Sequence, residues 1–419
     1  ASACLKMRTD SPVYAGSAQS LQNMVVMAEG GVKKRYGMKH IYDYSLTYNS
    51  SYPEQSHLMP FIFDNNEEYI LSVEHQKIRC FRVVDATTVT LVATVTTDTG
   101  GNSLPFDRDY LQEYTFAQSG DVMWICHPLF MPRLIVRTSL TAFQVETYSF
   151  DVRQDNKKTF QPYSSFHSAG VTLGVSGFSG SITVTTSASY FTSAHVGSRI
   201  RKQGNEILIT AVSSGTQATG TIIDSLTINL SVLNPIRTRE GSAVCEMTHI
   251  NHGFGGNETI QIDHAAATGG ISSTNFQGSR TVQSIIDENT YTFNAGANAT
   301  SSEDGGGRVV IRAASATSEW DEQSFSAARG YPAAVTFHEN RLVFGGTIAE
   351  PDTIFMSKIG EYFNHDVDEG ADTDAIVLTA ATGRTNEIRY LVSNRDLQVF
   401  TNTAELYVPT YLNQATTPT

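Results

Sequence analysis

The chain has 419 residues, of which 32 are Gly and 18 Tyr; 40% are hydrophobic and only 17% charged, a size and texture that demand more than one buried core and many short strands. A formal net charge of −13 excludes a clamp on nucleic acid, because duplex affinity comes from clustered Lys and Arg that release counterions; an acidic conduit along which a duplex slides without sticking stays compatible with it. No run reaches the roughly 18 apolar residues of a membrane helix and no charged-then-apolar leader opens the chain, so stable membrane insertion is not expected.

Over residues 1–164 short apolar runs alternate with turn residues. The runs 57–63, 68–73 and 77–84 are separated by Asp64-Asn65-Asn66 and Glu74-His75-Gln76, and 114–117, 122–126 and 133–137 follow. Runs of that length between such breakers predict antiparallel meanders, and repeated small meanders suit a propeller-like platform better than one sandwich. Between 165 and 315 the composition shifts to Ser, Thr, Gly and Ala, with β-branched residues in short alternating stretches. Two inserted β modules are predicted, small barrels or sandwiches, at 165–240 and 241–315. The first runs through 181–185, a His195-Val196-Gly197 turn, 206–210 and 220–223. The second uses 258–262, 280–285 and 290–293 and is closed by Gly305-Gly306-Gly307, read as the return to the parent domain. Regular strand-and-turn spacing argues against a disordered linker. From Trp320 the aromatic and charged texture returns, and 333–337, 341–344, 353–357, 375–378, 388–392 and 397–401 read as strands with no competing helical period. The expectation is an all-β protein whose platform, 1–164 with 316–419, is discontinuous.

Three blocks carry a resemblance. Leu21-Gln22-Asn23-Met24 precedes Glu29-Gly30-Gly31-Val32-Lys33-Lys34-Arg35-Tyr36-Gly37; Ala117-Gln118-Ser119-Gly120-Asp121-Val122-Met123 precedes Cys126-His127-Pro128; and Gly330-Tyr331-Pro332 leads through Arg341-Leu342-Val343-Phe344-Gly345-Gly346-Thr347, Pro351-Asp352-Thr353-Ile354 and Ser357-Lys358-Ile359-Gly360 to Asp374-Ala375-Ile376. In order and spacing the chain resembles the nozzle, or tail tubular protein B, family of short-tailed bacteriophages. The resemblance implies a virion tail protein with a propeller-like platform. It implies a hexamer under the head-to-tail adaptor protein, tail fibre proteins as neighbours, and transient passage of duplex DNA. It implies no catalytic residues; neither a cofactor nor a metal is expected. The motif positions it marks as structural are Arg35, Gly37, Gln118, Asp121, His127, Pro128, Pro332, Arg341, Asp352, Ser357 and Asp374.

The residue types suit that role. Gly30-Gly31, Gly37 and Gly345-Gly346 fit turns that need positive φ or close backbone approach. Pro128 and Pro332 set rigid corners, and Arg341, between a polar turn and an apolar strand, is expected to bridge carbonyls or a carboxylate with its fixed fork of donors. The inserted modules depart from the better-known members in composition; a nozzle tip, a face toward the tail fibres or an outer decoration are all open for them. The segment 397–408 approaches Thr417-Pro418-Thr419, where family members continue for further strands, so a second polypeptide completing the platform is expected in the particle, a truncated sequence being the alternative.

Other chemistry was weighed at each candidate cluster. Cys4, Cys80, Cys126 and Cys245 stand far apart without a C-x-x-C pair, which signals neither zinc nor a disulfide framework; free buried thiols are expected. The acidic stretch Asp366, Asp368, Glu369, Asp372 and Asp374 misses the EF-hand spacing and reads as a solvated loop before a calcium site. His127, His249, His252 and His264 lack the paired spacing of a zinc site and read as turn and strand-edge residues. Gly253-Phe254-Gly255-Gly256-Asn257 has no Lys-Ser/Thr after it, so a phosphate loop fails. The alternative function is a tail-associated glycan-binding or glycan-depolymerising protein, which would need two carboxylates flanking a cleft.

Overall fold

Period-two alternation decides the architecture. In Ser56–Asp64, Met59 and Phe61 are buried while Leu58, Pro60 and Ile62 face outward, as a pleated strand with one covered face requires. The computed structural model describes residues 22–27, 31–35, 37, 40–42, 55–85, 88–153, 157–202, 204–223, 228–229, 232–250, 252, 254, 256–313, 316–367, 373–380 and 386–409. Cys4, Gly30, Asp368, Glu369, Asp372 and the stretch 410–419 lie outside them; Cys80, Cys126 and Cys245 are free and buried. The described residues are nearly all β, with α-helix confined to Ser273–Phe276.

Four small antiparallel sheets form a propeller-like arrangement, each a meander in chain order. Blade 1 is Ser56–Asp64, Glu67–Glu74, Lys77–Asp85 and Thr88–Val95; blade 2 is Thr115–Ser119, Val122–His127, Phe130–Ser139 and Ala142–Thr147. Blade 3 is Ala334–His338, Arg341–Gly345, Thr353–Met356 and Ile376–Thr379; blade 4 has Ile388–Ser393, Leu397–Thr401 and Glu405–Val408.

Alternate side chains of one strand serve opposite neighbours. Met123 and Ile125 pack with Met59, Phe61 and Leu71 of blade 1. Trp124 and Cys126 turn the other way, onto Leu342, Phe344 and Phe355 of blade 3. Val343 and Ile354 in turn meet Ile388, Leu391, Leu397 and Val399 of blade 4. The blade 2 and blade 3 core thus joins side chains some 200 residues apart in sequence. Each buried Leu, Ile or Phe contributes roughly 1.5–3 kcal/mol by leaving water, which makes these shared faces the main cohesion of the platform.

The inserted region holds two sheets, one nested inside the other. The seven-stranded sheet has the spatial order Tyr163–Ser164, Trp320–Gln323, Arg199–Lys202, Asn205–Ser214, Gln217–Ile222, Ser181–Thr186 and Leu173–Val175. The eight-stranded sheet takes all its strands from Ile228–Asn229 through Val310–Ala313, between two strands of the first. Trp320–Gln323, which the return of aromatic texture assigned to the platform, hydrogen-bonds between Tyr163–Ser164 and Arg199–Lys202 and completes the first inserted sheet.

The glycine run is a second difference. Asp304–Gly305 pairs with Ile236–Arg237, and Val310–Ala313 of the same sheet is still to come, so Gly305-Gly306-Gly307 lies inside the second module and is not the exit from it. The physical reason is close approach: a Cβ on Gly305 would meet Thr268 Oγ1 (2.4 Å), and Gly306 sits at φ +99°.

Candidate functional site: the blade junctions

Polar groups fasten the first strands of neighbouring blades to one another. At the junction of blades 1 and 2 the Gln118 amide makes a two-way bond to one residue: its Nε2 donates to Ile62 O (2.8 Å) and its Oε1 accepts from Ile62 N–H (3.0 Å). The same Nε2 donates to Gly120 O (2.9 Å), which fixes the hairpin that presents it. Asp121 accepts from Arg137 Nε (2.8 Å), and Arg137 Nη1 crosses to Glu67 of blade 1 (2.7 Å) with its guanidinium 3.9 Å over the Phe63 ring. Such a planar cation uses its fork and its face at once, which Lys cannot do.

Between blades 2 and 3, Thr115 Oγ1 donates to Ala333 O (2.8 Å), and Tyr331 N–H donates to Pro128 O (3.0 Å). Pro332, next in the chain, is buried. His127 is packed among Tyr114, Tyr110 and Phe130, stacked on the last at 5.4 Å. Burial pushes its imidazole below the usual pKa, against the pull of the Glu113 carboxylate 3.6 Å away. His338 Nδ1 lies 3.0 Å from Ser393 Oγ and links blades 3 and 4.

Inside blade 3, the Arg341 side chain is buried and donates to the carbonyls of Ser357 (2.7 Å) and Asp374 (2.5 Å), the carbonyl-bridging role its position suggested. Ser357 Oγ accepts from Leu342 N–H (2.9 Å) and donates to Lys358 O (3.0 Å). Asp352 contributes its carbonyl, to Ala380 N–H (3.0 Å). Gly345 is a close-approach position, since a Cβ there would meet Ile388 and Leu391 of blade 4 at 3.0 Å, and Gly346 has φ +63°.

Not every motif residue joins this frame. Arg35 is exposed and pairs through its backbone with Asn23 (2.8 Å). Gly37 is exposed, outside the left-handed region and with no atom within 4 Å of a Cβ built on it, and its chain neighbours Tyr36 and Met38 lie outside the described residues. Gly31, at φ +84°, does have the turn conformation.

The solvated acidic loop is corrected at two positions. Asp374 is buried, with Lys358 Nζ at 3.6 Å, and Asp366 is half-buried at 4.0 Å from Arg201. The physical reason is a nearby cation for each: Lys358 beside blade 3 for Asp374 and Arg201 of the first insert for Asp366. Among the described residues no group of three or more His, Cys, Asp or Glu is placed to hold a metal.

A buried cluster escaped sequence reading. Glu322, fully buried in Trp320–Gln323, the strand next to the edge of the seven-stranded sheet, accepts through Oε2 from Tyr190 Oη (2.6 Å), Arg329 Nε (2.9 Å) and Arg329 Nη2 (2.8 Å). His195 Nε2 lies 3.6 Å from the other oxygen, and Arg329 sits 4.4 Å over Phe166. Burial pushes the Glu322 carboxyl up, but the donors and charges of His195, Tyr190 and Arg329 outweigh it and hold the group below the usual carboxylate range. Nearby, Glu206 receives Arg199 Nη1 (2.5 Å) and Thr159 N–H (3.1 Å), latching the segment that leads from blade 2 to the first insert.

His249 and His252 are buried with Phe254 and Tyr291 in the second insert, so packing and not a surface turn sets their chemistry. His252 Nδ1 accepts from Phe254 N–H (2.9 Å), which leaves Nε2 as the donor to Asp287 O (3.0 Å). Burial, with the neighbouring His252, pushes His249 down to about 4, and burial takes His365 of the platform core to about 3. His264 has φ 58° in a strand-end turn.

Both pKa values are depressed, so these groups stabilise the fold fully above the unfolded value near 6.5 and lose that contribution as pH falls toward 4. Glu74 and Glu350, raised by burial, act in the opposite sense and favour the fold at the acid end. The shift of His249 corresponds to roughly 3 kcal/mol when complete. The thermal midpoint is expected to drop between pH 6.5 and 4, and His249→Phe to flatten that drop for the second insert; an unchanged slope in the variant would refute the assignment.

One open cleft, of about 380 Å3, lies at the Tyr163–Ser164 edge of the seven-stranded sheet and is lined by Tyr163, Arg201, Glu319, Trp320 and Asp321 among others. Arg201 forks onto Asp321 (2.9 and 2.6 Å) and lies 4.0 Å over the Tyr163 ring.

No protein-family model matches the chain, and no curated protein matches it. Among solved structures it is similar to one described as "Phage phi92 endosialidase", at 10% identity and a TM-score of 0.17, over 83% of this chain and 52% of that one. The chain therefore spans about half the length of that protein, and a likeness so slight bears on neither fold nor activity.

Proposed function

We propose that this chain is a structural subunit of a short-tailed phage tail, a nozzle or tube component of the virion through which the genome reaches the host. The observation that carries this reading is the use made of the motif residues. Gln118, Asp121, Pro128, Arg341 and Ser357 stand in the order of the nozzle family, and their polar groups fasten blade to blade or strand to strand. Satisfied polar links of this kind favour one rigid arrangement, which a load-bearing conduit needs.

On this reading the copies meet through heterologous contacts whose rotation closes, giving a hexameric ring beneath the head-to-tail adaptor protein. The net charge of −13 suits a wall that a duplex passes without adhering. Electron microscopy of tails is expected to place the chain on the tail axis in a closed ring, with weak, low-specificity duplex binding at physiological salt. An off-axis single copy, or tight duplex binding, would overturn the conduit.

The cleft at Tyr163, Arg201, Glu319, Trp320 and Asp321 favours a second reading, a tail-associated glycan-binding protein, because aromatic rings beside carboxylates are the groups that grip sugars. A host polysaccharide that binds the wild type but not Glu319→Gln would favour it.

A further inference from the structure

Blades 1, 2 and 3 each have four strands, and among the described residues blade 4 has three. Glu405–Val408 pairs with Leu397–Thr401 on one side, and its other side is the outer edge of the sheet. Such an edge presents a row of N–H and C=O groups that a further strand can join. Beside it runs a groove of about 250 Å3, lined by Ile354 and Leu378 of blade 3 and by Val399, Leu406 and Val408 of blade 4 among others. In blade 2 the fourth strand, Ala142–Thr147, sets Phe143 and Val145 into the core shared with blade 1. Edge and groove together therefore call for a strand with an apolar residue at every second position.

The residues directly after the edge strand do not supply one. Pro409 cannot take the positive φ that a two-residue hairpin turn needs at its first position. A longer loop uses up Tyr411 and Leu412 and leaves Asn413-Gln414-Ala415-Thr416-Thr417, without a large apolar residue for the groove. Tyr44, Leu46 and Tyr48 do alternate with Ser45 and Thr47, but that segment runs between Tyr42, edge-on against Phe81, and Ser56, so both its ends are held at blade 1. Leu5-Lys6-Met7-Arg8 alternates too, and carries a cation at each polar position.

We propose that Leu5-Lys6-Met7-Arg8 pairs antiparallel with Glu405–Val408 of the same chain and forms the fourth strand of blade 4. The edge strand sets Leu406 and Val408, half-buried, on the groove side, and turns Glu405 and Tyr407, both exposed, outward. In one register all four positions agree. Leu5 opposite Val408 and Met7 opposite Leu406 fill the groove, while outside Lys6 lies over the Tyr407 ring and Arg8 faces the Glu405 carboxylate. A slip by one residue would drive both cations into the groove, so the register is strongly specified. Residues 9–21, extended, reach up to roughly 43 Å, about the breadth of a domain of this size, and the tether raises the local concentration of the strand above that of a second copy. This closure does not depend on the tail role.

Hydrogen exchange on the whole chain tests the pairing. Leu5→Asp and Met7→Asp are each expected to speed exchange of the Glu405–Val408 amides by about tenfold or more, and Lys6→Asp by under about threefold, because only the first two put a carboxylate into the groove. An effect at position 6 as large as at 5 and 7, or no effect at any of the three, would overturn it. Cross-linking identifies the donor of the strand. Arg8→Cys with Glu405→Cys, in a Cys4→Ser background, is expected to close a disulfide within one chain under mild oxidation, since directly opposed strand positions lie within disulfide reach. A disulfide between chains would assign the strand to a second copy, and no disulfide would leave the edge to another polypeptide; either result overturns the closure.

Discussion

Glu322→Ala is expected to destabilise the protein by about 3–5 kcal/mol, because it removes one carboxylate that holds three partners in the interior. The Arg329 fork and the Tyr190 hydroxyl lose their acceptor at once, and the guanidinium loses its hydrogen-bonded counter-ion. The cost is set by what stays behind. The gross attraction of the pair is largely cancelled by the desolvation of Glu322 itself, whereas the orphaned Arg329 stays half-buried between Phe166 and Tyr190. Glu322→Gln keeps the shape and an acceptor oxygen and is expected to lose less. The cluster ties the loop bearing Tyr190 and His195 to the strand Trp320–Gln323 and to the chain entering blade 3, so the loss is expected in the first insert's unfolding transition. Urea midpoints of the two variants measure it; a shift for Glu322→Ala worth under about 1 kcal/mol would mean that water satisfies the cluster.

Arg341→Ala is the second large effect, expected at about 3–5 kcal/mol, from a cavity in blade 3 plus two carbonyls without donors. Burial already lowers the pKa of Arg341 against the pull of Glu339 and Asp374, which shows how much desolvation the site imposes on its cation. Arg341→Met restores volume without donors and Arg341→Lys restores charge without the fork, so the ranking of the two separates packing from bridging. If bridging dominates, Lys is expected to retain more stability than Met; the reverse order would make Arg341 chiefly a space-filler. Hydrogen exchange at Ser357 and at Leu342, whose N–H donates to Ser357 Oγ, gives a local readout of the same question.

Local pattern determined much of this protein. The strands of blades 1 to 3 are legible for two reasons: a strand with one covered face writes a period of two into the chain, as in Met59 and Phe61 against Leu58 and Ile62, while strands covered on both faces, such as Arg341–Gly345, read as short apolar runs; and the turns between them carry Asn, Asp and Gly. The strand Thr88–Val95, with no fully buried residue, is not legible, since a half-exposed outer strand leaves little contrast for a pattern to register; Ala142–Thr147 does alternate, with Phe143 and Val145 buried, but two apolar residues make too short a run to stand out. The roles of Arg341 and Gly345-Gly346 were also legible, because a fork of donors and a missing Cβ are properties of the residue itself. Only the tertiary structure decided the nesting of the second insert, the destination of Trp320–Gln323 and the use of Gly305-Gly306-Gly307 within a sheet. It alone decided that Glu322 would find Tyr190, 132 residues away. The physical reason is that pairing between distant strands is fixed by which faces cover each other, a long-range choice that neither propensity nor spacing within a short window contains.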